Sequence, residues 1–429
     1  MNSPLIISDC CSFERFREIG AYFVCNHEAD ILLGSPDCTD SCQSYLGVDP
    51  VDELELHPGL KADVISAKMK EFCFTDCGPV MGYLSYELGY ELRGVESHKS
   101  ASFPLLHLKK YSAVLIHDGG DSSLKLVCKD ESYRSAVCKD IAKAGAIPDT
   151  VLPSFAECDV HMSLDKKGYE EGVGRTLEFI RDGLTYQLNL TTMFSMPGGD
   201  LDLVLWFFAL QKHYPAPYYA LLKSGGNVIV STSPELFLRV KKGQVLSEPI
   251  KGTLRFEEYS EELVCGLQNS VKEDSELSMI VDLVRNDISA DCRYGSVVVE
   301  DHKSVFAVDN LLQMFSRVRG ELREGRDCID LLLSAFPGGS ITGCPKKSSM
   351  KLIDKLEPHS RGPYCGSIVL INGPQDMVSS ISIRTAVYNE AENKLCCWAG
   401  SGIVIDSDPE AEYLETIAKV GKILDPEAV

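Results

Sequence analysis

Three sets of residues in this 429-residue chain have types and spacings that could do chemistry. The first is a single lysine. Lys251 stands in Pro249-Ile250-Lys251-Gly252-Thr253, flanked by an apolar residue and a glycine, an odd choice for a solvated turn. A lysine held in an enclosed site can lose its proton and act as a nucleophile. The second set is two glutamate pairs, Glu273 with Glu276 and Glu412 with Glu415, the latter followed one turn later by Lys419. On a helix, a spacing of three puts both carboxylates on one face. Gathered carboxylate oxygens suit Mg²⁺, with waters and a substrate oxygen completing its shell. The plainer alternative is two solvated helix faces, with Glu415 and Lys419 as an ion pair. The third set is glycine-rich turns. Gly338-Gly339-Ser340-Ile341-Thr342-Gly343-Cys344-Pro345-Lys346 leads into a helix whose free N–H groups would suit an anion, or it is a plain loop and cap. Ala399-Gly400-Ser401-Gly402-Ile403 lets backbone come close to a ligand, or is a bulge.

These residues need elements to hold them. Tyr169, Val173, Leu177 and Ile180 recur at helical steps, which predicts an amphipathic helix over 166–182, ended by Gly183. The stretch 185–192 alternates as a strand. Tyr186, Leu188 and Leu190 share one face, and Gln187, Asn189 and Thr191 the other. Residues 227–247 read as a hairpin with Lys242-Gly243 near its tip. Helical patterns fall at 272–287, 328–335, 346–356 and 409–424, and strand patterns at 366–371, 378–387 and 395–399. Strands and helices come in blocks, without strict β-α-β alternation. That predicts an α+β fold with large antiparallel sheets packed as a sandwich and flanked by helices. Residues 143–153, with two prolines and glycine, read as a linker between an N-terminal region, 1–155, and a catalytic domain, 156–429.

Composition excludes some classes. Apolar residues make up 44% and charged residues 24%, as in ordinary globular proteins. A net charge of -21 argues against nucleic acid or an anionic membrane surface as partner. No leader segment or membrane span is visible, so a cytoplasmic location is expected. Seventeen cysteines are numerous, but in such a protein they are usually reduced core residues. The C-x3-C pairs Cys38/Cys42 and Cys73/Cys77 have no histidines at zinc-finger spacing.

Order along the chain is more specific than any one motif. Ser233-Pro234-Glu235, Pro249 to Thr253, Glu273-x-x-Glu276 running into Asp282 to Asp287, Gly339 to Lys346, Arg361-Gly362-Pro363-Tyr364-Cys365-Gly366, Ile383-Arg384-Thr385, Gly400-Ser401-Gly402-Ile403 and Glu412-x-x-Glu415-Thr416 form one series. It resembles the chorismate-utilising enzymes, strongly over about 160–425 and more loosely through Ile31 to Ser35 and Gly82 to Tyr86. The resemblance implies a Mg²⁺ site at Glu276 and Glu415, with Glu273 and Glu412 acting partly through water. It implies substrate contacts from Gln187, Thr342, Tyr364, Arg384, Lys419 and the backbone of Gly400 and Gly402, beside Pro345-Lys346. It implies that Glu235 is the acid that helps the C4 hydroxyl of chorismate leave. The N-terminal part resembles a region that binds tryptophan in relatives, and Ser35 falls there.

Within that family, Glu235, Gln187 and Lys251 discriminate, and Gln313 is a departure. Isochorismate- and salicylate-forming members have a lysine that activates water where this chain has Gln187. A glutamine takes up no proton at neutral pH, which points to ammonia as nucleophile. Anthranilate synthases have alanine at the position of Lys251, whereas aminodeoxychorismate synthases have the lysine, which attacks C2. That role requires the neutral amine, although a free lysine, with a pKa near ~10.4, is protonated at pH 7. Anthranilate synthases also carry a histidine where this chain has Gln313. The resemblance therefore implies the aminodeoxychorismate synthases, with anthranilate synthase component I, isochorismate synthase and a non-catalytic homologue as alternatives. No cysteine nucleophile elbow of a glutaminase is visible, so the expected ammonia source is a separate glutamine amidotransferase subunit.

Overall fold

The computed structural model describes residues 4–35, 43–75, 78–128, 130–148, 152–155, 158–256, 259–308, 311–421 and 423–424, less the side chains of residues 253, 255, 271, 272, 307, 308 and 311. Cys38, Cys42 and Cys77 lie outside the described residues, while Cys73 is buried. Among the described residues every strand pairing is antiparallel. The pairings form two arms. Two long strands, Gln43–Leu56 and Leu106–Asp118, pair with each other and belong to both arms.

From that ribbon the first arm runs through Ala29–Leu33, Tyr218–Ser224, Asn227–Ser233, Thr385–Asn389 and Lys394–Ile403 to Gln187–Pro197. The second runs through Val80–Leu84, Ser367–Gly373, Asp376–Ile381, Leu236–Lys241 and Gln244–Glu248 to Leu311–Glu321. Ile250–Arg255 pairs with one part of that last strand, and Val298–Val308 lies on its other edge. The arms share an apolar core. Leu190, Ile229 and Ile403 of the first are buried in one cluster with Leu238, Val369 and Met314 of the second. Outside the first arm, helices Phe13–Asn26 and Leu203–His213 supply Phe16, Phe23, Trp206, Phe207 and Phe208 to a second cluster. Here are the sheets and flanking helices of the α+β class that the sequence predicts.

Several elements end where chain chemistry dictates. The helix predicted over 166–182 runs Lys166–Arg181, with Asp165 capping Gly168 N–H and Gly183 in the left-handed region. Helices Cys328–Ala335 and Lys346–Leu356 match their predicted bounds. The predicted strand 378–387 is two strands, Asp376–Ile381 and Thr385–Asn389, because Arg384 adopts a φ of 49° and turns the chain from one arm to the other. Nor is 227–247 a single hairpin. Asn227–Ser233 pairs with Tyr218–Ser224 across Gly225-Gly226, and only Leu236–Lys241 with Gln244–Glu248 close on Lys242-Gly243. Pro234, which has no N–H to give a ladder, separates the two ribbons. The C-terminal helix ends at Val420, short of the predicted 424. Lys143 ends a helix, Glu131–Lys143, so the predicted linker starts one residue later, and residues 149–151 of it lie outside the described residues.

Candidate active site

A cavity of about 450 Å³ opens between the far ends of the two arms. The helices Val271–Ser289 and Pro409–Val420 flank it and direct Glu273, Glu276, Glu412 and Glu415 to its wall. Their apolar stripes explain that aim. Leu277, Ile280 and Val281 are buried on the first helix, and on the second Glu412 is itself buried in line with Thr416 and Val420, so the carboxylates lie at the cavity edge of the packed faces. The wall also includes Glu235, Lys251, Tyr364, Arg384, Lys419 and the backbone at Gly400 and Gly402.

Lys251 projects from Ile250–Arg255, one residue before Gly252, whose φ of +77° makes a bulge against Leu311–Glu321. A Cβ at Gly252 would stand 3.1 Å from the Glu273 carboxylate, so this turn and the acidic helix are pressed together. Among the described residues the Lys251 ammonium makes no hydrogen bond or ion pair. Gly402 keeps room beside it. A Cβ there would be 2.7 Å from the Gln187 amide nitrogen and 3.8 Å from Lys251 Nζ. Gln187 therefore lies just behind Gly402, with both polar atoms of its amide buried and without a partner among the described residues.

Glu235 follows Pro234, and its carboxyl is buried at 6% exposure. Ser340 Oγ donates to its Oε1 at 3.0 Å. Burial pushes its pKa up to about 7, against the opposing pull of Lys251, Ser340 and Arg384. A carboxyl that is half protonated near neutrality suits a general acid. Arg384 brings a guanidinium that has no ion pair among the described residues, and burial pulls its pKa below the ordinary arginine value. Such a cation has strong reason to accept a carboxylate in two parallel bonds. Tyr364 stacks on Trp398, ring centres 6.0 Å apart and planes 10° apart, and burial raises its pKa.

Behind the wall is a polar frame. Lys346 Nζ binds both oxygens of Asp287 at 2.8 Å and the Ala335 carbonyl at 2.7 Å. A Cβ at Gly339 would meet Leu283 at 2.2 Å. The loop carrying Ser340 is thereby clamped to the helix carrying Glu273 and Glu276. Arg361, wholly buried, grips Glu357 through two nitrogens and donates to the carbonyls of Asn189 and Ile341. Its own N–H and that of Gly362 bind Glu87.

Most predicted site residues meet here, with two exceptions. Thr342 does not reach the wall. Its carbonyl accepts from Asn189 N–H and its hydroxyl faces Tyr86, because the bridge between Gly343-Cys344 and Gln187-Leu188 tucks it inward. Gln187 reaches the site only past Gly402. Lys419 is on the wall but engaged, at 2.7 Å from Glu415 and 3.0 Å from the Gly400 carbonyl. Ser340, Asn189 and Trp398 line the cavity and were not singled out from sequence. Ser340 lay inside a glycine-rich motif, but its partner is 105 positions away in sequence.

The profile of the family described as chorismate binding enzyme matches residues 28–425. The chain belongs to that family. As a chorismate-binding enzyme it resembles "Anthranilate synthase component 1 3" of Haloarcula marismortui, at 32% identity over 87% of this chain and 81% of the relative. It resembles "Aminodeoxychorismate synthase component 1" of Salmonella typhimurium equally, at 33% identity over 81% and 76%. Among solved structures, anthranilate synthase component I of Streptococcus pneumoniae superposes with a TM-score of 0.77 at 26% identity, over 90% of this chain and 93% of that one.

The four cavity glutamates are hard oxygen donors of the kind Mg²⁺ takes, one or two at a time with substrate oxygens. Among the described residues no three acidic, histidine or cysteine side chains gather closely enough to hold an ion by themselves. Glu412 accepts from Ser407 at 2.7 Å. The donor set fits Mg²⁺ bound together with a substrate better than a prebuilt cage. No helix among the described residues is long and apolar enough to cross a membrane.

Proposed function

We propose that this chorismate-binding enzyme is an aminodeoxychorismate synthase component I, forming 4-amino-4-deoxychorismate from chorismate and ammonia. The observation that carries this reading is the placing of Lys251 and Glu235 on one cavity wall, a lysine with no hydrogen bond or ion pair among the described residues beside a carboxyl poised near neutrality. Glu235 gives its proton to the C4 hydroxyl, the C4–O bond breaks, and water leaves. The neutral Lys251 amine bonds to C2 as the ring double bond shifts. Ammonia then bonds to C4, the double bond shifts back, and the C2–N bond to Lys251 breaks. The enolpyruvyl ether is untouched.

The other wall residues bind and orient. Arg384, Tyr364 and the Gly400 and Gly402 backbone take the enolpyruvyl carboxylate, and Lys419 adds charge there. Mg²⁺, held by Glu276 and Glu415 with Glu273 and Glu412 through water, would supply positive charge for the ring carboxylate. Gln187, which cannot act as a base, favours ammonia over water. The ammonia comes from a glutamine amidotransferase subunit, with ammonium salts a poor substitute. The product serves para-aminobenzoate and folate synthesis in the cytoplasm.

The test is product mass after incubation with chorismate, Mg²⁺ and ammonium, repeated for Lys251→Ala. Aminodeoxychorismate from the wild type, and a chorismate-derived adduct on Lys251 when ammonia is withheld, are expected. Fluorescent anthranilate would replace this reading with anthranilate synthase, and product formed without ammonia would replace it with isochorismate synthase. Full activity in Lys251→Ala would end the nucleophile role.

A further inference from the structure

The Glu235 carboxyl has two oxygens in different surroundings. Oε1 accepts from Ser340 Oγ at 3.0 Å, and among the described residues Oε2 has no hydrogen-bond partner. Ser340 and Glu235 both line the cavity. The Ser340 hydroxyl makes no other hydrogen bond among the described residues, and its backbone is held from several sides. Thr342 and Gly343 N–H both bind the Gly339 carbonyl, Gly339 abuts Leu283, and Lys346 ties the end of the loop to Asp287. The other groups facing Glu235 are cations, Lys251 from Ile250–Arg255 and Arg384 from the turn before Thr385–Asn389. Neither is within hydrogen-bond reach of the carboxyl.

We propose that Ser340 is a positioning residue for Glu235, its hydroxyl occupying Oε1 so that Oε2 carries the proton that goes to the departing substrate hydroxyl. The inference rests on the reading of Glu235 as the acid. When the proton leaves Oε2, the carboxylate charge is shared with Oε1. The Ser340 bond then becomes a bond to a charged acceptor and strengthens in the transition state. Its loss should therefore fall on kcat more than on KM.

The experiment compares Ser340→Ala, Ser340→Thr and Glu235→Gln with wild type, each checked by thermal melting, across pH with chorismate, Mg²⁺ and ammonium. In Ser340→Ala, kcat falls about 10- to 100-fold with little change in KM. The alkaline limb of its kcat profile moves to higher pH, because a donor to the charged form is gone. Ser340→Thr keeps the hydroxyl and the wild-type profile. A Ser340→Ala profile superposing on wild type would overturn the proposal, as would equal loss in Ser340→Thr with an unmoved limb. Glu235→Gln separates the two readings. If it is inactive while Ser340→Ala is unmoved, only the positioning role fails. If Glu235→Gln keeps wild-type rate, the acid assignment itself fails.

Discussion

Lys346 holds both carboxylate oxygens of Asp287 at 2.8 Å, and so bolts the loop that supplies Ser340 to the helix that supplies Glu273 and Glu276. The pair is buried, so removing one partner strands a charge. Lys346→Met should destabilise the protein by roughly 3–5 kcal/mol in urea denaturation. Replacing Asp287 by Leu in the same chain should recover most of that loss, because the stranded charge goes with it. A Lys346→Met protein of unchanged stability would contradict the bolt.

In the proposed reaction Glu235 works as an acid only while protonated, and its pKa is pushed up to about 7. Measured kcat should therefore fall as pH rises through about 7, and an isotope-labelled leaving group should report the same limb. A profile flat from pH 6 to 9 under rate-limiting chemistry would remove Glu235 from that role.

The same burial costs stability. An exposed glutamate ionises near ~4.3, so folding that raises the pKa to about 7 is weakened progressively as pH rises between those values. Glutamine stays neutral throughout. Glu235→Gln should match wild-type stability at pH 4 and exceed it by roughly 3 kcal/mol above pH 7, while activity is lost. Equal stability at pH 8 would show that the folded carboxyl is not desolvated.

Arg384 is a partly buried cation with no ion pair among the described residues, placed to grip a carboxylate. Arg384→Lys keeps charge but loses the fork, and should raise KM for chorismate about 10-fold with a smaller change in kcat. Steady-state kinetics at saturating Mg²⁺ and ammonium read this directly.

Gly402 makes a steric prediction. In Gly402→Ala the new methyl would meet the Gln187 amide nitrogen at 2.7 Å, and Gln187 is buried. Activity should drop at least 10-fold, since a displacement of about 1 Å beside the reacting groups can cost far more. Gly266→Ala, inside helix Glu261–Gln268 with open space around its Cβ, is the control that should leave activity unchanged and raise stability by up to about 1 kcal/mol.

Local chemistry was readable in advance where it is repeated along the chain. The helices 328–335 and 346–356 and the two glutamate faces follow from spacing, because a helix brings near neighbours in sequence together. What spacing could not convey was contact between distant segments. Nothing local distinguishes Ser340 from any serine in a glycine-rich loop until Glu235 is beside it. Nothing marks Lys346 as a buried latch until Asp287 closes on it. The inward turn of Thr342 and the break at Arg384 were missed for the same reason, since both are set by which strands pair and not by which residues alternate.

The strand Val80–Leu84 lies between Leu106–Asp118 and Ser367–Gly373, so one of its edges waits for residues 367–371. On the ribosome that edge emerges early and stays unpaired until almost the whole chain has been made. Its unsatisfied N–H and C=O groups are then open to another nascent chain. The candidate-site cavity, whose wall includes Tyr364, Arg384 and the C-terminal helix, comes into being only at the end of synthesis. An edge of this kind is an aggregation hazard during synthesis, a burden that no property of the finished cavity reveals.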